Sequence, residues 1–287
     1  MFLMDPLSKI FLYLFLVTSM LGIGLQTSAG DMRSLLDSKG VLLRLLVANF
    51  IVVPAIGIAM AKLMNFPPDT ATAMILLACT PGGISAVQFT SKVKTSLAFA
   101  GGSAVTLSFL SMIVSPFLLM FVLPSVSTGI PYARVFLNIA VFLLLPLVFG
   151  MLVRFKGAKS ADRLTKPFAL IGTISFIVLI ILIMDERKQA MNAIGARVLI
   201  SMLAFILLSM ALGWFLGGPS RETRQISATA SSMRFVALCL VIALNSFPSP
   251  EIYAPLIAFS ALMIPPNLIF TLFYMVQKKL KSKKSTT

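Results

Sequence analysis

The chain has 287 residues, 58% of them hydrophobic and only 11% charged, where a soluble domain carries roughly 25% charged residues. That balance excludes a water-soluble globular protein and leaves an integral membrane protein, with no room for a separate soluble domain. The net charge of +15 raises nucleic acid as a partner, but its placement along the chain assigns it to membrane topology instead, and no nucleic acid is expected.

Nine segments are long enough to cross a hydrocarbon core of about 30 Å. They run over approximately 7–29, 40–64, 69–91, 95–123, 131–153, 166–184, 193–216, 222–246 and 252–277. The first is not expected to be a cleavable signal, because Asp5 and Pro6 precede an apolar run longer than an h-region of about 7–15 residues. With the N-terminus outside, sixteen Lys and Arg fall on the cytoplasmic side and six on the other. This is the positive-inside pattern. It predicts a cytoplasmic C-terminus, a basic cytoplasmic tail over 278–287, and residence in a plasma (inner) membrane. Cys79 and Cys239 lie inside apolar segments, so a disulfide framework is not expected.

The third segment, "MILLACTPGGISAVQFTSKVK", is cut by Pro81-Gly82-Gly83. Pro lacks the N–H that a helix interior needs and Gly is costly there. A break at membrane depth survives only inside protein or beside a water-filled cavity. A counterpart lies 150 residues later at Ser231-Ser232-Met233, in the polar run "SATASSMR", and the same offset carries Pro116 onto Pro266. The offset from the third segment to the eighth is five, an odd number, so the halves are predicted to be inverted repeats. Paired interruptions in inverted halves mark the binding site of a transporter.

The stretches "ACTPGGISAVQFTSK", "SLAFAGGSAVTLSFLSMIVSPFLL" and "RQISATASSMRFVALCLVIAL" resemble the bile acid:sodium symporter family. The resemblance runs from the first helix to the last. It implies an all-α membrane fold of about nine transmembrane helices in inverted repeats, with two broken helices crossing in a core domain beside a panel domain. Here the core corresponds to approximately 40–123 and 193–277, and the panel to approximately 7–29 and 131–184. The chain departs from the family where the family binds sodium. Ile84, Ser85, Ala86 and Val87 stand where the family has Thr-Ala-Ser-Asn, and Ala230, Arg234 and Phe235 stand where it has Glu, Gln and Asn.

The nine acids, Asp5, Asp31, Asp37, Asp69, Asp162, Asp185, Glu186, Glu222 and Glu251, lie in predicted loops or at segment ends, and histidine is absent. The usual midmembrane partners of cations and protons are therefore missing. The family's usual sodium site is not expected to operate, and no metal site or cofactor is predicted.

Setting aside Arg44, which can snorkel from the cytoplasmic end of the second segment, Arg234 is the one charge left inside. It lies ten residues past Arg224, about 15 Å deeper in a helix. Either it snorkels or binds carbonyls freed by the other break, or its partner is an anionic substrate. The second reading predicts a substrate site of Arg234, Gly82, Gly83, Ser85, Gln88, Ser231, Ser232 and Phe235, helped by half-helix N-termini after Gly83 and after Ser232. Weaker candidates for a polar path are Asn138, Asn245, Asn267, Ser103, Thr106, Ser108 and Ser111. With no acid–base or nucleophile–base pair in view, an enzyme is not expected. The expected function is alternating-access transport of a small organic anion. The alternatives are a sodium- or proton-coupled symporter with a relocated ion site, and a non-transporting sensor that kept the fold.

Overall fold

The computed structural model describes residues 6–27, 38–82, 97–122, 132–186, 194–247 and 249–284. Among them the secondary structure is helical, apart from an isolated bridge between Pro81 and Arg234. In chain order the helices are α1 (Pro6–Gln26), α2 (Lys39–Val47, a π-helical turn Ala48–Val52, then Val53–Leu63) and α3 (Pro68–Cys79). Next come α4 (Leu97–Val122), α5 (Tyr132–Ile139, a π-helical turn Ala140–Leu144, then Leu145–Lys156) and α6 (Ala158–Glu186). The rest are α7 (Ala196–Leu216), α8 (Arg221–Ser232), α9 (Val236–Ser246), α10 (Tyr253–Leu262) and α11 (Ile264–Lys284). Among the described residues six stretches are long and apolar enough to cross a membrane: Pro6–Gln26, Lys39–Leu63, Val105–Val122, Phe136–Lys156, Ala196–Leu216 and Tyr253–Gln277. The protein is a multi-pass integral membrane protein.

Two sequence boundaries move. The sixth segment, expected from 166, starts as α6 at Ala158. Its first turns carry polar residues that an interfacial helix tolerates, and Asp162 there pairs with Arg154 of α5. The tail expected to begin at 278 instead continues α11 as helix to Lys284.

Both π-helical turns have the same local cause. In each, a proline follows closely, Pro54 in α2 and Pro146 in α5. A proline offers no N–H to the carbonyl one turn back. The ladder shifts: Val53 N–H reaches back to Ala48 O, and Leu145 N–H to Ala140 O, each across five residues. Such single-turn bulges are rare and often sit at functional places. The one in α2 contains the fully buried Asn49.

Helices in lipid gain little from hydrophobic burial against one another, so close backbone contact through small residues holds them together. α1 packs along α5 and α6. Gly24 and Gly150 face each other there, so near that a Cβ on Gly24 would lie 2.2 Å from Leu147 O, and one on Gly150 2.5 Å from Leu21 O. α7 packs along α8 in the same way, with Gly213 and Gly217 against the backbone of Ser227 and Arg224.

Candidate functional site

α3 and α8 are both 12 residues long, so each rises about 18 Å and stops near the middle of a core about 30 Å thick. Their C-terminal ends meet. Thr80 and Pro81, just past α3, run antiparallel to Met233, Arg234 and Phe235, just past α8. Two backbone hydrogen bonds close the contact: Gly82 N–H donates to Met233 O at 3.3 Å, and Phe235 N–H donates to Thr80 O at 3.0 Å. Each break thus satisfies groups the other exposes, as backbone buried at membrane depth requires.

This contact accounts for the glycine at 82. A Cβ there would lie 2.6 Å from Phe235 N and 2.7 Å from Arg234 C, so a side chain cannot enter without parting the two strands. Gly83, Ser85 and Gln88, also expected at the site, lie outside the described residues.

The second break falls later than the sequence suggested. Ser231 and Ser232 form the last turn of α8, the chain leaves helical geometry at Met233 and Arg234, and α9 begins at Val236. The N-terminus expected directly after Ser232 is therefore at Val236. Pro81 pairs with Arg234. The second break has no Gly or Pro because nothing local forces it. It is set by the ladder that Thr80 and Gly82 offer.

Both serines are held within the protein. Asn49, in the π turn of α2, donates from Nδ2 to Ser231 Oγ at 3.0 Å. Ser232 Oγ donates to Asn267 Oδ1 at 2.7 Å, and Asn267 Nδ2 donates to Met263 O at 2.8 Å. Ser111 of α4 supports the first break, its hydroxyl 2.5 Å from Pro81 O. The two free cysteines flank the crossing: Cys79 ends α3, and Cys239 in α9 lies 2.8 Å from Thr80 Oγ1.

Arg234 is 2% exposed. Its Nη2 donates to Ser231 O, a carbonyl at the C-terminal end of α8. Its guanidinium carbon stands 5.7 Å from the Phe205 ring centroid, a cation–π contact. A cation at a helix C-terminus also meets the favourable end of the dipole. Both readings of this residue thus find a footing, because Nε and Nη1 remain without a hydrogen-bond partner among the described residues.

A cavity of about 480 Å³ adjoins these donors. α1 contributes Phe15, Thr18, Ser19 and Gln26, and α6 contributes Thr173 and Phe176. The second break contributes Met233, Arg234 and Phe235, and Ser260 and Ile264 come from the α10–α11 region. Among the described residues, Arg234 is the only charged one in this wall. A mostly apolar pocket with a few convergent polar groups is the usual form of a small-molecule site. Of the sequence candidates, Arg234 and Phe235 line it, Pro81 and Gly82 brace it from behind, and Ser231 and Ser232 fasten its support.

Sequence reasoning missed the α1 and α6 walls. Thr18, Ser19 and Thr173 are polar residues in apolar runs, a signal shared with ordinary helix packing. Thr18 and Thr173 do bond their own helices' carbonyls.

Comparison with known proteins agrees with the fold. The model of the Sodium Bile acid symporter family matches residues 13–194. An uncharacterized sodium-dependent transporter of Bacillus subtilis is 25% identical over 213 residues, covering 72% of this chain and 63% of its own length. A probable chloroplastic sodium/metabolite cotransporter of Oryza sativa is 24% identical, over 82% of this chain and 57% of its own length. The hepatic sodium/bile acid cotransporter of Rattus norvegicus is 23% identical, over 99% of this chain and 81% of its own length. The chain thus spans about 60% of the length of the first two.

Proposed function

The chain belongs to the Sodium Bile acid symporter family, a family of transporters and not of enzymes, and we propose that this member carries a small organic anion across its membrane by alternating access. The single observation behind this reading is Arg234: a buried guanidinium that, among the described residues, has two donor nitrogens unpartnered and is the only charge in the wall of a mostly apolar cavity. A central Arg costs at least about 2.5–3.5 kcal/mol on insertion scales. An anion with an apolar body offsets that cost, its charged end on Arg234 and its body against Phe15, Phe176 and Phe235.

The division into a panel of α1, α5 and α6 and a core of the remaining helices is part of the proposal. It is supported by the packing of α1 along α5 and α6. The cavity lies between α1 and α6 on one side and the second break on the other. Rocking of the two groups would expose it to one side of the membrane and then the other. Nine crossings in inverted repeats, with the N-terminus outside, complete the proposal.

Sodium appears in the names of all three relatives, and the expectation that this chain dispenses with the family's sodium site finds no support in them. It rests on the chain's own residues. Among the described residues one cation is buried, Arg234, and no carboxylate. We propose that this guanidinium holds the electrostatic place of a coupling ion.

The test is uptake of labelled organic anions into proteoliposomes, with and without a sodium gradient, for the wild type and Arg234→Ala. Uptake that needs no sodium and disappears in the variant is expected. Uptake that requires sodium removes the substitution of Arg234 for the ion. Absence of uptake for every anion in the panel removes the transport reading.

A further inference from the structure

A second cavity, of about 510 Å³, shares no lining residue with the first and opens between α7, α8 and α11. Its wall is aromatic: Trp214 and Phe215 from α7, and Phe270, Phe273 and Tyr274 from α11. Trp214 stands edge-on to Phe270, with ring centroids 5.8 Å apart at 88°. Phe215 and Phe273 are 77% and 61% exposed, so this flank faces the bilayer. Among the described residues the one charged residue in the wall is Arg221, the first residue of α8.

Position adds to this composition. Trp and Tyr gather where a bilayer's hydrocarbon gives way to its headgroups. α11 leaves the cavity at Gln277 and runs on through a stretch holding Lys278, Lys279, Lys281, Lys283 and Lys284. The groove thus passes from an apolar aromatic wall to a basic end of the molecule. An acyl chain fits the first and an anionic headgroup the second. A zwitterionic lipid also offers a phosphate to Arg221, but it would bring its own quaternary ammonium to that basic end, which an anionic lipid does not.

We propose that this groove seats an anionic phospholipid, its acyl chain along Trp214 and Phe273 and its phosphate at Arg221. The site takes its ligand from the bilayer and is separate from the transported anion's cavity.

Trp214 is the only tryptophan in the chain, so its fluorescence reports on this groove alone. The full-length protein is reconstituted in phosphatidylcholine containing small fractions of acyl-brominated phosphatidylglycerol, or of acyl-brominated phosphatidylcholine as the control. Bromine quenches tryptophan on contact. Half-maximal quenching is expected at a mole fraction roughly fivefold lower for phosphatidylglycerol, the equivalent of about 1 kcal/mol per basic residue near an anionic surface. Arg221→Gln should remove that preference while leaving the unquenched spectrum unchanged, and Ala211→Phe, which fills the groove, should weaken quenching by both lipids. Equal quenching by the two lipids in the wild type would mean ordinary lipid contact and overturn the site. A preference that survives Arg221→Gln would assign it to the general basic surface and overturn it equally.

Discussion

Pro81 and Arg234 face each other in a two-bond antiparallel bridge, where the C-terminal ends of two half-helices meet. A residue that cannot donate a backbone hydrogen bond thus sits opposite the one buried charge among the described residues. Pro81 stops α3 by its chemistry, and the strand it leaves open is what stops α8.

Gly82→Ala should part this bridge, because the new methyl would fall 2.6 Å from Phe235 N. A buried polar group left unpaired costs about 1–3 kcal/mol, and two bonds are at stake. Both a lower melting temperature in detergent and loss of uptake are expected. An unchanged melting temperature would show that the bridge is not needed to hold the crossing.

Arg234 should separate charge from shape. If the guanidinium meets the anion, truncating it to Ala costs about 2–5 kcal/mol, or roughly 30-fold and more in apparent affinity. Arg234→Lys keeps the charge and should keep part of the uptake with a raised KM. Arg234→Glu places a negative charge in the cavity and should abolish uptake. Normal transport of the same anion by Arg234→Glu would sink the assignment.

The hydrogen bond from Ser232 to Asn267 ties the end of α8 to α11. A double-mutant cycle with Ser232→Ala and Asn267→Ala should return a coupling near 0.6 kcal/mol, the ~0.6 kcal/mol average for such bonds in a membrane. Unfolding in mixed detergent measures it. A coupling indistinguishable from zero would mean the two side chains meet without stabilising each other.

Gly24→Leu should loosen α1 from α5, since even a Cβ would lie 2.2 Å from Leu147 O. Overpacking of this kind costs about 1–3 kcal/mol, and a larger residue should push towards the upper end. The readout is thermal stability of the purified protein. Stability equal to the wild type would show that the two helices can separate without loss.

Much of this was legible in the sequence. Apolar length gave the helices because hydrocarbon demands about 20 apolar residues of anything that crosses it. Pro81-Gly82-Gly83 signalled the first break because a proline and two glycines in succession add their separate costs to a helix. Arg234 stood out because a charge in an apolar run is costly on any reading. The second break was only half legible. "SATASSMR" is polar without being helix-breaking, and its chain leaves the helix after Ser232, where Met233 and Phe235 find Gly82 and Thr80 to pair with.

By itself, then, the sequence determined that the protein is helical, lies in a membrane, and carries one costly charge beside one certain break. These follow from each residue's own preference for lipid, water or helix. Only the tertiary structure decided where the second break falls, that Asn49 and Asn267 secure Ser231 and Ser232, and that α1 and α6 supply walls to Arg234's cavity. Each depends on which surfaces meet across the fold, and local preference says nothing about a partner 35 or 182 residues away.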